Sequence, residues 1–276
     1  MKLTHEKIME FKIHLAQEEK SGATIEKYLR DVRAFAVFAG GRDIEKEMVI
    51  AYKKNLLKEG YAIRSINSML ASLNSFMGFL GRDECKVRCI KRQKEVYCPE
   101  AKELTKKEYM RLLEAARGKA QLRLLMQTIC STGIRVSELR FFTVEDVKMG
   151  EIAVHCKGKS RKILIPNKLR KILLEYAKKE KIHSGEIFIT RNGKTLNRSY
   201  IWAQMKALCR EAEVDPQKVF PHNLRKLFAR TFYGIEKDIA KLADILGHSS
   251  VDTTRIYIMT TGMEHRRKIE RLGLVA

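Results

Sequence analysis

Long apolar runs are missing from this sequence of 276 residues. No stretch approaches the roughly 20 consecutive apolar residues that a membrane-spanning helix needs. The opening segment, MKLTHEKIMEFKIHL, is charged and amphipathic rather than continuously apolar, so it does not have the form of a secretory signal. These two absences predict a cytoplasmic protein that does not enter a membrane.

Cysteine is scarce, and the six cysteines are scattered at positions 85, 89, 98, 130, 156 and 209. This spacing favours reduced thiols over the dense pairing of a disulfide-stabilised secreted domain. Cys85, Cys89 and Cys98 lie near one another in the sequence, but they lack the close fourth ligand that a zinc ribbon needs. We expect no metal site and no cofactor.

Acidic residues are outnumbered, with 33 Asp and Glu against 55 Lys and Arg, which gives a net charge of +22. Most of the excess lies beyond residue 100. Such a charge attracts polyanions, nucleic acid above all. A generally lysine-rich surface is the other interpretation of the same numbers, so composition alone does not decide between them.

Residues 1–80 repeat apolar residues at steps of three and four, which predicts a compact unit of four helices. Thr4 and Thr24 are the predicted N-caps of its first two helices, and the pair Gly40-Gly41 is expected to end the second. Residues 81–103 are basic and weakly periodic and contain Pro99, so they are interpreted as an interdomain linker.

Residues 104–276 predict a second domain, of α+β type, with a C-terminal tail. Thr105 is expected to cap its first helix. Residues 151–166, EIAVHCKGKSRKILIP, change to short apolar runs around a KGKS turn, which is typical of a β-hairpin. Helical patterns fill most of the rest. The expected fold class is therefore mainly α with one small β-sheet.

Four short motifs in this second domain carry chemically useful side chains: TGIRVSEL, CKGKSRK, PHNLRK and LGHSS followed by TTRIY. The candidates in them are Arg135, Lys157, His222, Arg225, His248 and Tyr257, with Glu138 as a supporting residue on the face of Arg135. Each has an ordinary alternative when taken singly, such as a surface arginine, a helix-capping histidine or a core tyrosine. Lys159 competes with Lys157 for the same role.

The combination suits cleavage of a phosphodiester. A phenol that attacks phosphorus keeps the phosphate as a diester, so the bond energy is retained and no ATP is needed. Two guanidiniums can hold the oxygens on which negative charge develops, and an ammonium can protonate the departing oxygen. This supply of positive charge makes a metal ion unnecessary.

In order, spacing and residue type, the motifs resemble those of the tyrosine recombinases, the family of phage integrases and bacterial Xer resolvases, along nearly the whole chain. One departure is Lys226, where many relatives have histidine. The resemblance implies an N-terminal SAM-like core-binding domain and a tyrosine-recombinase catalytic domain, which close on DNA from opposite sides.

The resemblance also implies residue roles. Tyr257 would form a 3′-phosphotyrosyl bond, and Arg135 and Arg225 would clamp the phosphate. Lys157 would protonate the leaving 5′-oxygen, because the family motif places its lysine where the first strand meets the turn. His222 would act as the general base and His248 would donate a hydrogen bond to a non-bridging oxygen.

The implied partners are double-stranded DNA with inverted-repeat core sites and further copies of the chain, which would form a tetramer on two DNA sites. A second recombinase or an accessory protein is a further option. Apolar residues of the C-terminal tail would dock on a neighbouring subunit or on the same one: Met263, Ile269, Leu272 and Leu274.

Three other functions are alternatives to a recombinase. A type IB topoisomerase shares the phosphotyrosine chemistry, and a non-catalytic DNA-binding accessory protein shares the fold. An RNA-binding module would be expected to show aromatic stacking motifs, which the sequence lacks. The biological task stays open between resolution of chromosome or plasmid dimers and integration or excision of a mobile element.

Overall fold

The computed structural model describes residues 3–91, 103–156, 159–190, 192–259 and 262–273. The chain divides into two compact units, Met1–Lys94 and Glu95–Ala276, and each has its own apolar core. No helix in the described ranges is both long enough and apolar enough to cross a membrane.

The first unit contains the four helices expected from its periodicity. They are α1 (His5–Gln17), α2 (Gly22–Ala39), α3 (Lys46–Lys58) and α4 (Ile63–Phe79). Thr4 caps α1, as predicted, and Gly40 ends α2 in the left-handed conformation at φ 58°. The predicted cap Thr24 is wrong. Ser21 caps α2, because its hydroxyl accepts the backbone N–H of Thr24 (3.3 Å) and the small Gly22 and Ala23 extend the helix by one turn.

The aromatic rings of the first unit hold its helices together. Phe11, Phe35 and Phe76 are fully buried, and the Phe11 and Phe76 rings meet edge to face with centroids 5.0 Å apart. Because they come from α1, α2 and α4, the apolar faces of those helices meet in one core.

Residues 83–90, which the sequence assigns to a linker, pack against the first unit. A 3-10 turn covers Asp83–Cys85. The Asn74 side chain accepts the backbone N–H of Val87 (3.0 Å) and donates to its carbonyl (2.8 Å), as Asn67 does with Ile90 (2.8 and 3.0 Å). Side-chain amides of α4 therefore satisfy this extended segment. Residues 92–102 of the expected linker lie outside the described residues.

The second unit is mainly helical with one antiparallel hairpin, as the fold class predicts. Its elements are α5 (Lys106–Ala115), α6 (Ala120–Thr132), α7 (Val144–Met149), β1 (Glu151–Cys156), β2 (Lys159–Leu164), α8 (Asn167–Lys179), α9 (Arg198–Lys206), α10 (Pro221–Glu236), α11 (Ile239–Leu246), α12 (Val251–Ile258) and α13 (Gly262–Glu270). Thr105 caps α5, as predicted, in a capping box with Glu108.

The hairpin pairs Glu151 with Leu164 at one end and Cys156 with Lys159 at the other. Ile152, Val154 and Ile163 are buried on its inner face. Residues 157–158 lie outside the described residues, so Lys157 has no described position.

The C-terminal tail is helical over α13, where Met263 and Ile269 are exposed, and Leu272 just beyond it is exposed too. Leu274 falls outside the described residues. Docking of this tail in cis or in trans stays a prediction.

Candidate active site

Two glycine turns place the candidate residues. Gly133 ends α6 at φ +66°, and a Cβ there would lie 2.3 Å from Cδ1 of Phe228. Gly247 ends α11 at φ +62°, and a Cβ there would lie 2.9 Å from Cδ and Nη1 of Arg161. Both positions need a residue that tolerates a left-handed backbone and has no side chain. Arg135 follows the first turn and His248 the second.

Three guanidiniums converge on the carboxyl end of α11. Arg161 Nε donates to the carbonyl of Ile245 (3.1 Å), Arg225 Nη2 to that of Leu246 (2.6 Å), and Arg135 Nη2 to that of Gly247 (3.0 Å). The last carbonyls of a helix lack intrahelical partners and carry partial negative charge. The end of α11 therefore gathers cations from three distant segments.

Glu138 is the only carboxylate that these guanidiniums contact within the described residues, and it is 2% exposed. Its oxygens accept from Arg161 Nη1 (2.8 Å) and Nη2 (2.7 Å), from Arg135 Nη1 (3.0 Å) and from the Arg135 backbone N–H (2.7 Å). Burial alone would raise the pKa of Glu138, but the donors from Arg161 and Arg135 outweigh burial and lower that pKa. Three guanidiniums against one carboxylate leave an excess of positive charge.

Arg225 is the largest fully buried side chain in the described residues, at 1% exposed. Its Nη1 donates to the Gly133 carbonyl (2.5 Å), while its buried Nε has no hydrogen-bond partner among those residues. Burial first, and then the nearby Arg135 charge, lower the pKa of Arg225 to about 10. The guanidinium stays charged at neutral pH. Because burying this charge costs free energy, an incoming anion that pairs with it would be stabilising.

Tyr257 lies against both candidate histidines and Arg225. Its ring centroid is 5.0 Å from that of His222 and 4.8 Å from that of His248, both edge to face. The Arg225 guanidinium carbon is 5.9 Å from the same centroid. Ser250 caps α12, which packs against α10 and α11, and Tyr257 lies about two turns into this helix.

The hydrogen bonds of His248 fix its tautomer. Arg225 Nη2 lies 3.0 Å from His248 Nε2, and because arginine can only donate, Nε2 must be the acceptor. The proton therefore sits on Nδ1, which donates to Thr254 Oγ1 at 2.8 Å. Burial, and then the charges of Arg225 and Arg135, lower the pKa of His248 to about 4. A neutral ring is consistent with this geometry.

His222 stands in the first turn of α10, next to Pro221. Although the residue is exposed, its ring is enclosed on the side of Tyr257. Desolvation first, and then the charges of Lys226 and Arg225, lower the pKa of His222 to about 4. The imidazole is therefore neutral, and able to accept a proton, throughout the physiological range.

The structure brings together all the sequence-predicted site residues except Lys157, which lies outside the described residues. It also adds two residues that sequence analysis missed, Arg161 and Thr254. For Arg161 a signal was available: in a strand, residues two apart share a face, so Arg161 lies on the buried face with Ile163. Thr254 gives no such signal.

Among the described residues, no group of three or more His, Cys, Asp or Glu side chains could hold a metal ion. The described Cys85 and Cys89 are free thiols, the first buried and the second exposed. Cys98 of the same sequence cluster lies outside the described residues.

Two family models match this chain. Residues 102–262 match the phage integrase family, and residues 8–84 match the N-terminal SAM-like domain of phage integrases. The first match lies within the second unit and the other within the first unit.

The chain belongs to the phage integrase family.

Its curated relatives are Xer proteins. Tyrosine recombinase XerA of Pyrococcus furiosus is 30% identical over 99% of this chain and 96% of its own length. Tyrosine recombinase XerD of Halalkalibacterium halodurans is 27% identical over 90% of this chain and 91% of its own length. This integrase-family chain is accordingly a Xer-like tyrosine recombinase, a site-specific recombination enzyme.

Solved structures show the same fold. A lambda integrase dimer bound to a COC′ core site has a TM-score of 0.75 at 20% identity, covering 95% of this chain and 97% of that one. A XerH recombinase bound to its difH substrate has a TM-score of 0.68 at 21% identity, covering 91% and 79%. At these identities the likeness establishes the integrase fold.

Proposed function

We propose that this chain breaks and rejoins double-stranded DNA at inverted-repeat core sites through a covalent 3′-phosphotyrosyl bond to Tyr257. One observation carries the proposal: the Tyr257 ring contacts the rings of both His222 and His248 and lies near the buried Arg225 guanidinium. A nucleophile, a neutral base and a fixed cation therefore share one site. This is the constellation that attack on a phosphodiester needs.

The phosphate clamp is Arg135 and Arg225. As the phenol attacks, negative charge gathers on the non-bridging oxygens, and forked guanidinium donors are suited to hold them. Arg135 is the more accessible of the two, with its side chain 37% exposed. The buried Arg225 has an unpartnered Nε and a pKa near 10, so an arriving phosphate offsets part of its desolvation.

Proton transfer is divided between two residues. His222 takes the phenol proton as Tyr257 bonds to phosphorus, and the pKa of about 4 keeps His222 in the basic form before substrate binds. Lys157 protonates the 5′-oxygen as its bond to phosphorus breaks. The reverse step returns both protons, so the strand is rejoined without an external energy source.

His248 supports the non-bridging oxygens, and its hydrogen bonds define what this requires. In the free protein its Nε2 accepts from Arg225, so it has no Nε2 proton to give. The bound phosphate brings negative charge that favours protonation of the ring, while Arg225 turns toward the phosphate oxygens. His248 then donates through Nε2 and keeps its bond to Thr254 through Nδ1.

Assembly follows the relatives. A solved lambda integrase is a tetramer bound to a Holliday junction, with a TM-score of 0.75 to this chain. We extend the tetramer on two DNA sites to this chain, with most of the DNA affinity coming from phosphate contacts of exposed lysines and arginines, which the excess of 55 basic over 33 acidic residues supports. A second recombinase or an accessory protein is a further possible component.

The biological task is resolution of chromosome or plasmid dimers, or integration and excision of a mobile element. Xer relatives at about 30% identity over nearly the whole chain favour the first. The Xer relatives also disfavour a type IB topoisomerase. The described site retains both arginines, both histidines and the tyrosine, which disfavours a non-catalytic accessory protein. Recombination between two core-site plasmids, compared with relaxation of one supercoiled plasmid, separates recombinase from topoisomerase.

The decisive experiment is Tyr257→Phe on a nicked core-site duplex that loses a short fragment on cleavage, so that the covalent complex is trapped. We expect no covalent complex and unchanged DNA binding, because only the phenol oxygen is removed. Tyr233→Phe is the matched control, since Tyr233 packs against the same small apolar cluster. A trapped complex with Tyr257→Phe would refute the assignment.

A further inference from the structure

We infer that Arg161 is a positioning residue of the phosphate clamp, acting through Glu138 on Arg135 and through the end of α11 on His248. The inference rests on the clamp role proposed for Arg135. Arg161 lies on β2, 26 residues after Arg135 and 64 before Arg225. It falls within the CKGKSRK motif, but the resemblance described above assigns it no role.

Arg161 does not bind phosphate itself. All three nitrogens of its guanidinium already donate: Nη1 and Nη2 fork onto Glu138, and Nε bonds the Ile245 carbonyl. Its side chain is 12% exposed, against 37% for Arg135. Each guanidinium nitrogen thus has a partner inside the protein, and the side chain is mostly buried, so Arg161 is better placed to orient its neighbours than to hold a ligand.

The shared carboxylate transmits the first effect. Oxygen Oε1 of Glu138 accepts from both Arg161 Nη1 (2.8 Å) and Arg135 Nη1 (3.0 Å). If Arg161 were removed, the buried carboxylate would lose its forked partner and would pair with Arg135 alone. Arg135 would then be held more tightly to Glu138, and less of its charge and fewer of its donors would be available to the phosphate.

The second effect, on His248, passes through the packing of the Arg161 side chain against Gly247. The Arg161 side chain is so close to this turn that a Cβ on Gly247 would lie 2.9 Å from its Cδ and Nη1. Arg135 Nη2 binds the carbonyl of the same Gly247, and His248 follows directly. Arg161 therefore packs against the Gly247 turn. The carbonyl of this turn binds Arg135, and the turn positions His248.

Lysine cannot replace this arginine. A single ammonium on a flexible chain cannot form the planar fork onto Glu138 and also donate to Ile245 from a separate nitrogen. Arg161→Lys thus keeps the charge and removes the geometry. Lys162→Gln is the matched control on the next residue, because its side chain is 70% exposed and pairs with Glu151 at the surface.

The test measures single-turnover cleavage by the full chain at saturating DNA, on two forms of the same core site. One has the normal 5′-oxygen at the scissile phosphate; in the other, sulfur replaces it and leaves as a thiolate without needing a proton. We expect Arg161→Lys to slow cleavage by roughly 10- to 100-fold on both forms with little change in DNA affinity, and we expect the same pattern from Arg135→Lys. Lys162→Gln should cleave at the wild-type rate.

Recovery of Arg161→Lys on the sulfur substrate would overturn the inference, because it would place Arg161 on the leaving-group side with Lys157. So would a wild-type rate, or failure of Arg161→Lys to fold by circular dichroism and thermal melting. The double variant Glu138→Gln/Arg161→Lys completes a double-mutant cycle. If Arg161 acts through Glu138, Arg161→Lys should slow cleavage less in the Glu138→Gln variant than in the wild type. A wild-type rate for Arg135→Lys would instead refute the proposed clamp itself.

Discussion

Two buried carboxylates, one in each unit, are built from similar parts and serve different ends. Asp31 on α2 and Glu138 beyond α6 are 3% and 2% exposed, and each contacts two cationic side chains. Around Asp31, Lys27 lies 3.0 Å and Arg30 3.2 Å away, both on the same helix, and the Ser72 hydroxyl of α4 donates at 2.9 Å. Around Glu138, Arg135 lies three residues earlier in the chain, whereas Arg161 comes from β2, 23 residues later.

The difference lies in where the remaining donors of the cations go. Arg30 is 72% exposed at its side chain, and Lys27, at 28%, donates to the Ser68 carbonyl and the Ser72 hydroxyl. Water and groups of α4 therefore satisfy the remaining donors of Lys27 and Arg30, and the cluster links α2 to α4. Around Glu138 the spare donors end on the carbonyls of α11, whose partial charges only partly balance the guanidiniums. That remaining positive charge supports the anion-binding role proposed for the second cluster.

The largest effect should come from Arg225→Lys. Lysine keeps a positive charge but lacks the forked guanidinium donors beside Tyr257, so we expect single-turnover cleavage to slow by roughly 10²- to 10³-fold, the usual scale for one transition-state donor. Lys27→Met, which disturbs the corresponding cation of the first unit, should leave the rate of the bound complex unchanged. Equal slowing by both variants would contradict the division of roles between the clusters.

Replacing each carboxylate by its amide should separate the clusters at an intermediate scale. We expect Glu138→Gln to slow cleavage by about 10- to 100-fold, because the amide leaves Arg161 and Arg135 less well placed. Asp31→Asn should lower the free energy of unfolding of the first unit by about 1–3 kcal/mol and leave cleavage unchanged.

Denaturant unfolding can assign that loss to the correct unit. Trp202 is the only tryptophan of the chain and belongs to the second unit, so its fluorescence follows that unit, whereas far-UV circular dichroism follows both. If Asp31→Asn shifted the unfolding transition seen by Trp202 fluorescence but not the part of the dichroism change that belongs to the first unit, the structural role of Asp31 in the first unit would be contradicted.

Local patterns in the sequence were sufficient for the helices, the hairpin and most of the site, since each depends on residues a few positions apart. Thr105 with Glu108, and Gly247 before His248, are signals of this kind. Thr24 was predicted wrongly as the cap because the helix extends back to Gly22, a residue type that helix propensity disfavours. Arg161 and Thr254 were missed because their importance comes from contacts made only after folding, with Glu138 and with His248.

The smallest predicted effect is the acid dependence of the two histidines beside Tyr257. His222 and His248 have pKa values near 4 in the folded chain, against an ordinary value of about 6.5 when unfolded. Below pH 6.5 the unfolded chain binds more protons than the folded one. The stability that these groups contribute is therefore complete above pH 6.5 and is lost progressively as pH falls toward 4.

Nitrogen-detected NMR of the imidazole rings tests this directly. In the free protein, His248 should show a protonated Nδ1 and an unprotonated Nε2 from pH 8 down to about pH 5, because Arg225 donates to Nε2 and Thr254 accepts from Nδ1. Thr254→Val removes the acceptor while keeping the shape, so the Nδ1 proton should exchange faster with water and cleavage should fall only a few-fold.

Binding of core-site DNA should protonate His248, since the phosphate adds the negative charge that the free site lacks. A ring that stays neutral on DNA at pH 6 would remove the donor role proposed for His248 and leave the clamp to the two arginines.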